Sequence, residues 1–169
     1  MSRTASTLFL ALAFSAAALA ADPAAPATPA VVTPAPVVPL NLAKTVSYRH
    51  KVMKAASDHL AAAGILAKGE VDRPQDMIMH ATALLELSAT IGSLYPAGTG
   101  PDAVKTEAKK EVWTQPDKFA AAAKALETES LGLVDAAKKN DIAAYKAQVG
   151  KIGEACGGCH DTFRVEDER

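Results

Sequence analysis

Aromatic side chains are scarce in this chain of 169 residues: one Trp, three Tyr and four Phe make up 5% of it. That shortage leaves little to build strands from. Heavy use of Ala, Leu and Lys favours helix throughout. Neither sign of charge is in excess, with 18 Lys and Arg against 19 Asp and Glu and a formal net charge of −1. Such a balance argues against nucleic acid as a partner and gives no strong electrostatic steering. Proline is nearly missing beyond residue 40; the four later ones are Pro74, Pro96, Pro101 and Pro116, so long helices can run uninterrupted between them. No stretch after residue 20 is expected to approach the length of a transmembrane helix. Only two cysteines occur, which rules out a disulfide-stapled scaffold.

What is present divides the chain into three. Residues 1–20 read as a secretory signal, with Arg3 as the positive start, an apolar run from Leu8 to Ala20, and Ala18-Leu19-Ala20 as a small-x-small cleavage site. Export to the periplasm is the expectation. Residues 21–40 hold the other six prolines among Ala, Val and Thr, a composition that gives an extended, disordered leader. Residues 41–169 form the domain, long enough for one core and too short for two.

Within that domain the apolar spacing predicts four helices. The first runs over about Leu42–Lys68, capped by Asn41 and stopped by Gly69, with Val46, Met53 and Leu60 on one face. The second runs over about Arg73–Leu94, capped by Asp72 and ended by Pro96, with Met77, Ala81, Leu84, Leu85, Ser88 and Ile91 inward. A long Gly- and Pro-containing connection follows. The third helix starts near Pro116, with Thr114 as cap, carries Phe119, Ala123, Leu126, Leu133 and Val134, and ends near Asn140. The fourth starts at an Asp141 cap and runs to about Arg164, with Ile142, Tyr145, Val149, Ile152, Cys156, Cys159 and Phe163 inward. Amphipathic helices joined by mostly short loops imply an all-α, antiparallel, up-down-up-down four-helix bundle.

The chemistry gathers at the end of the fourth helix, in Cys156-Gly157-Gly158-Cys159-His160. C-x-x-C-H is the attachment site of c-type haem. Two intervening residues let both thiols reach the vinyl groups on one porphyrin edge, and the following His160 is placed as proximal axial ligand. Cys156 and His160 stand at i and i+4 and so share a helix face. The two glycines leave room for the porphyrin to approach the backbone. Three rivals are weaker. A thioredoxin-like redox motif wants a βαβ unit; zinc wants further Cys or paired His ligands; a disulfide across so short a loop is strained. One haem per chain, held by two thioethers, is the expectation.

A C-x-x-C-H near the C-terminus of such a bundle resembles the cytochrome c-prime family, the class II c-type cytochromes. The likeness also includes Tyr48-Arg49-x-x-x-Met53, Glu111-Val112-Trp113, Phe119 and the terminal Cys-His-x-x-Phe-Arg. The resemblance implies that Arg49 lies by the haem propionates, that Arg164 stands beside the proximal histidine, and that Trp113 packs against the haem or seals its edge. It places Met53 opposite His160. In a low-spin branch a methionine there ligates iron and the protein carries electrons. In the high-spin branch the iron stays five-coordinate and takes up small gases. The expectation adopted is the first: a non-enzymatic, periplasmic electron carrier, ligated by His160 and Met53, meeting redox partner proteins. The alternative is a five-coordinate cytochrome that binds nitric oxide or carbon monoxide. Relatives often pair as homodimers through their first two helices.

Overall fold

The structure, a computed structural model, describes residues 41–165. The expected signal at 1–20, the leader at 21–40 and the last four residues lie outside the described part. Five helices make up the rest: α1 Leu42–Ala67, α2 Met77–Thr90, the short α3 Glu111–Thr114, α4 Pro116–Lys138 and α5 Ile142–Phe163. The four long ones form the expected bundle. Each packs on two neighbours in the ring α1, α2, α4, α5.

Local chemistry sets most of the boundaries. Asn41 accepts from the Lys44 N–H at 3.0 Å and Asp141 from the Ala144 N–H at 2.9 Å, so both expected caps are made. Gly69 ends the α1 turn at φ 69°, a left-handed conformation that glycine takes without strain. Asn140 fills the same role before α5, at φ 52°. Two expected caps are not made. Ahead of α2 a 3-10 turn, Pro74–Asp76, starts directly after Arg73, and no side chain caps it. Pro74 supplies the helical φ there, and Asp72 is left outside. Thr114 closes α3 instead of opening α4, because Pro116 begins α4 directly after Gln115. The second helix also stops before Pro96: α2 ends at Thr90 and tightens into a 3-10 turn, Ile91–Leu94.

One expectation about membranes needs correction. Pro74–Leu94 is long and apolar enough, by length and composition, to cross a membrane. Its apolar positions Met77, Ala81, Leu84 and Ile91 are instead buried in the bundle. The core falls into two clusters. One lies where α1 ends and α5 begins, with Ala63, Leu66, Met77, Leu133, Tyr145 and Ile152. The other lies at the opposite end, with Ile91, Ala108, Val112, Phe119 and Phe163. Ile142, expected inward, is 43% exposed. At the α4–α5 contact the Gln148 amide lies over Gly132, 2.8 Å from where a Cβ would stand, so a larger residue there would have to displace that side chain.

The connection between α2 and α4 is more than a loop. An isolated antiparallel bridge pairs Ala108 with Arg164, through the Lys109 N–H to Phe163 O (2.9 Å) and the Val165 N–H to Glu107 O (2.7 Å). The connection thus straps the last turn of α5, directly after the Cys-His pair.

Candidate functional site

Helix α5 carries Cys156, Cys159 and His160 without a break, and all three line one cavity of about 660 Å³. That volume is in the range of ligand sites, roughly 300–1,000 Å³. The cavity lies between the two core clusters: Cys156 packs on the first and Cys159 on the second. Both thiols are half-buried and not joined to each other. Burial pushes both above the ordinary thiol value, and Cys156 adds to the effect at Cys159. His160 lines the rim of the cavity, exposed as a residue but with its ring partly screened from solvent; that partial burial and then Arg164 lower its pKa, against a smaller opposing effect of Asp161.

The glycines between the thiols have no packing reason. No neighbour lies within 4 Å of a Cβ built on Gly157 or Gly158. Glycine in a helix interior costs about 0.8–1.0 kcal/mol relative to Ala. The helix is therefore weakened, with no gain in protein packing, at the two positions where a flat group joined to both thiols would approach the backbone.

Arg49 enters the cavity lining from α1 and is 4% exposed. Its Nη1 donates to Leu94 O at 3.4 Å and Thr99 Oγ1 at 3.2 Å. Its Nη2 donates to Thr99 O at 3.4 Å and Thr106 Oγ1 at 2.6 Å. The guanidinium also lies over the Tyr95 ring, 4.4 Å from its centroid. Every one of these partners is neutral, and burial lowers the Arg49 pKa. Buried charges are ordinarily paired. Among the described residues no carboxylate forms an ion pair with Arg49, so an anionic group in the cavity would complete it.

Arg164 also lines the cavity, one turn past His160. Its backbone N–H caps α5 on His160 O at 3.0 Å. Its side chain reaches Glu107, Nε at 3.1 Å and Nη2 at 3.0 Å. Met53 lines the cavity from α1 and packs against the cluster of Ile91, Phe119 and Phe163. Trp113 stands outside the lining. Its Nε1 donates to Tyr95 O at 3.2 Å and Pro96 O at 3.3 Å, and its ring lies against Gly100. It therefore supports Tyr95 from behind rather than walling the cavity.

Sequence reasoning did not single out Tyr95, Thr99, Thr106 or Glu107. Three of them sit in the connection, where no periodicity marks a face. Tyr95, next to the expected stop at Pro96, carried one usable signal: a lone aromatic at the end of an apolar stripe.

The rivals fail on this geometry. Among the described residues there is no strand for a βαβ unit and no group of three His, Cys, Asp or Glu fit to hold a metal ion. A model of the family described as Cytochrome C' matches residues 44–164.

The chain belongs to the cytochrome c' family.

Cytochrome c' of Pararhodospirillum photometricum is 34% identical over 119 residues, 70% of this chain and 94% of that protein. The solved cytochrome c' "from Rhodobacter Spheriodes" is 31% identical, with a TM-score of 0.68, and covers 75% of this chain and 99% of its own. A nitric oxide complex of a cytochrome c prime variant from Alcaligenes xylosoxidans shares the fold at 23% identity and TM-score 0.69, covering 75% of this chain and 97% of its own. As a member of the cytochrome c' family the chain binds one covalently attached c-type haem. Its expected place in the low-spin His/Met branch finds no support, since cytochromes c' typically hold five-coordinate, high-spin iron.

Proposed function

We propose that this chain is an exported monohaem cytochrome c' that takes up a small gas, nitric oxide or carbon monoxide, on the α1 side of its haem. Cys156 and Cys159 would hold the haem through two thioethers, and His160 would bind its iron from the α5 side. When bound, the haem supplies an iron that changes oxidation state by one electron and accepts one small ligand. The protein does the rest. The strap over residues 163–165 fixes the turn that carries His160, and Arg164, held by Glu107, sits beside it. Arg49 would receive a propionate, with its fork pre-oriented by Thr99 and Thr106.

The observation that carries this reading is the α1 wall. Apart from Arg49, its buried and half-buried lining residues are Val46, Val52, Met53, Ala56 and Leu60, all apolar. His50 is exposed and faces Glu107 at 3.9 Å. Met53 is engaged with aliphatic and aromatic neighbours, the ordinary state of a helix methionine on an apolar stripe. The buried and half-buried part of this wall admits an uncharged diatomic gas and, Arg49 apart, carries no ionisable group for peroxide chemistry. A variant of a protein of the same fold has been solved as its nitric oxide complex. Homodimer formation and electron exchange with a redox partner rest on the family resemblance.

The test compares reduced absorption spectra of the matured protein and of Met53→Ala. On this reading both are broad and high-spin, and both shift with carbon monoxide. Sharp low-spin bands that Met53→Ala abolishes would make Met53 a ligand and the chain an electron carrier.

A further inference from the structure

Two histidines away from the haem cavity meet across the α1–α2 contact. His59 Nδ1 and His80 Nδ1 share a hydrogen bond at 3.0 Å, one ring's Nδ1–H donating to the other ring, with ring centroids 5.2 Å apart and planes inclined by 59°. Both are half-buried, and neither lines the cavity. We propose that His59 and His80 form a two-imidazole chelate for a divalent transition-metal ion of tetragonal preference, Cu(II) foremost, clamping α1 to α2.

The spacing is the first argument. Metal–nitrogen bonds of about 2.0–2.1 Å that meet at a right angle set their nitrogens about 2.9 Å apart, whereas a tetrahedral angle sets them about 3.4 Å apart. The observed 3.0 Å is the length of an Nδ1–H···Nδ1 hydrogen bond between the rings, and an ion that displaces that proton finds the two nitrogens already near the right-angle spacing, which suits Cu(II) or Ni(II) better than Zn(II). Placement is the second argument. The two rings come from different packed helices, so the donors are positioned by the fold before any ion arrives. His80 follows buried Met77 by one turn, and His59 precedes Leu60, which packs on the same core.

The charges around the pair agree. Burial and then His59 lower the His80 pKa, against an opposing effect of Asp76, a direction that disfavours the cationic ring. Each ring carries its proton on Nε2 when both Nδ1 atoms serve the ion. Asp76, one turn before His80, adds a negative field but is itself paired with Arg73. Among the described residues no third His, Cys, Asp or Glu completes a group of three, so water fills the remaining positions. The site needs neutral imidazoles, so its affinity falls on acidification. It is independent of the haem reading.

The experiment titrates untagged ferric holoprotein with Cu(II), following heat and the electron paramagnetic resonance signal. The expected result is one equivalent bound, nitrogen splitting from two imidazoles, an unchanged haem spectrum, and affinity reduced about tenfold or more in both His59→Gln and His80→Gln. A Cu(II) signal on the unsubstituted protein without two imidazole nitrogens would overturn the proposal, whatever the variants do. So would the absence of uptake, or affinity unchanged in both variants.

Discussion

Arg49 is the residue on which sequence and structure meet most closely. A helix arginine four residues before a methionine gives no sign of burial by itself; only the family pattern placed it by a carboxylate. The structure buries it among neutral acceptors and an aromatic face, a costly arrangement unless an anion completes it. Arg49→Leu should therefore lower the reduction potential, because a cation near the haem favours the reduced state. A shift on the order of 60 mV corresponds to tenfold in a one-electron equilibrium. Arg49→Lys should recover part of it, since the charge remains but the fork is lost. A potentiometric titration of both variants measures this, and an unchanged potential in Arg49→Leu would remove Arg49 from the site. Met53 shows the limit of sequence at this scale. The seven-residue spacing put Val46, Met53 and Leu60 on one face, and all three line the cavity. Spacing reports a face, however, and says nothing of whether a sulfur is bound or only packed.

At the scale of elements, helices were legible wherever a side chain with one local job marked an end. Asn41 and Asp141 are such residues, and Gly69 and Asn140 are their counterparts at helix ends. Asp141 caps the helix that carries all of Cys156, Cys159 and His160. Asp141→Ala should cost about 1 kcal/mol, read as a lower denaturant midpoint, with the haem spectrum unchanged because the cap lies at the far end of α5. Asp72 and Thr114 misled because a proline following closely can start a helix without any cap. The strap between the connection and α5 was not legible at all. Its bonds join the backbone of Glu107 and Lys109 to that of Phe163 and Val165, and backbone pairing over such a separation leaves no periodic trace.

For the whole molecule, the fold class followed from four amphipathic stripes. The cavity's position followed only from how the helices pair. Antiparallel order brings the first half of α1, the second half of α2, the first half of α4 and the end of α5 to one end of the bundle, and the haem motif lies there. The opposite end is an ordinary core. Leu133, fully buried in it and absent from the cavity lining, separates stability from function. Leu133→Ala should destabilise by about 2–5 kcal/mol, seen in thermal unfolding of the matured protein, and leave gas uptake intact. The central claim, an iron side left open by an apolar α1 wall, is tested most directly by titrating the reduced, matured protein with carbon monoxide. Saturable uptake of one carbon monoxide per haem, with a large change in the absorption spectrum, is the predicted result. A reduced spectrum that carbon monoxide leaves unchanged would contradict it.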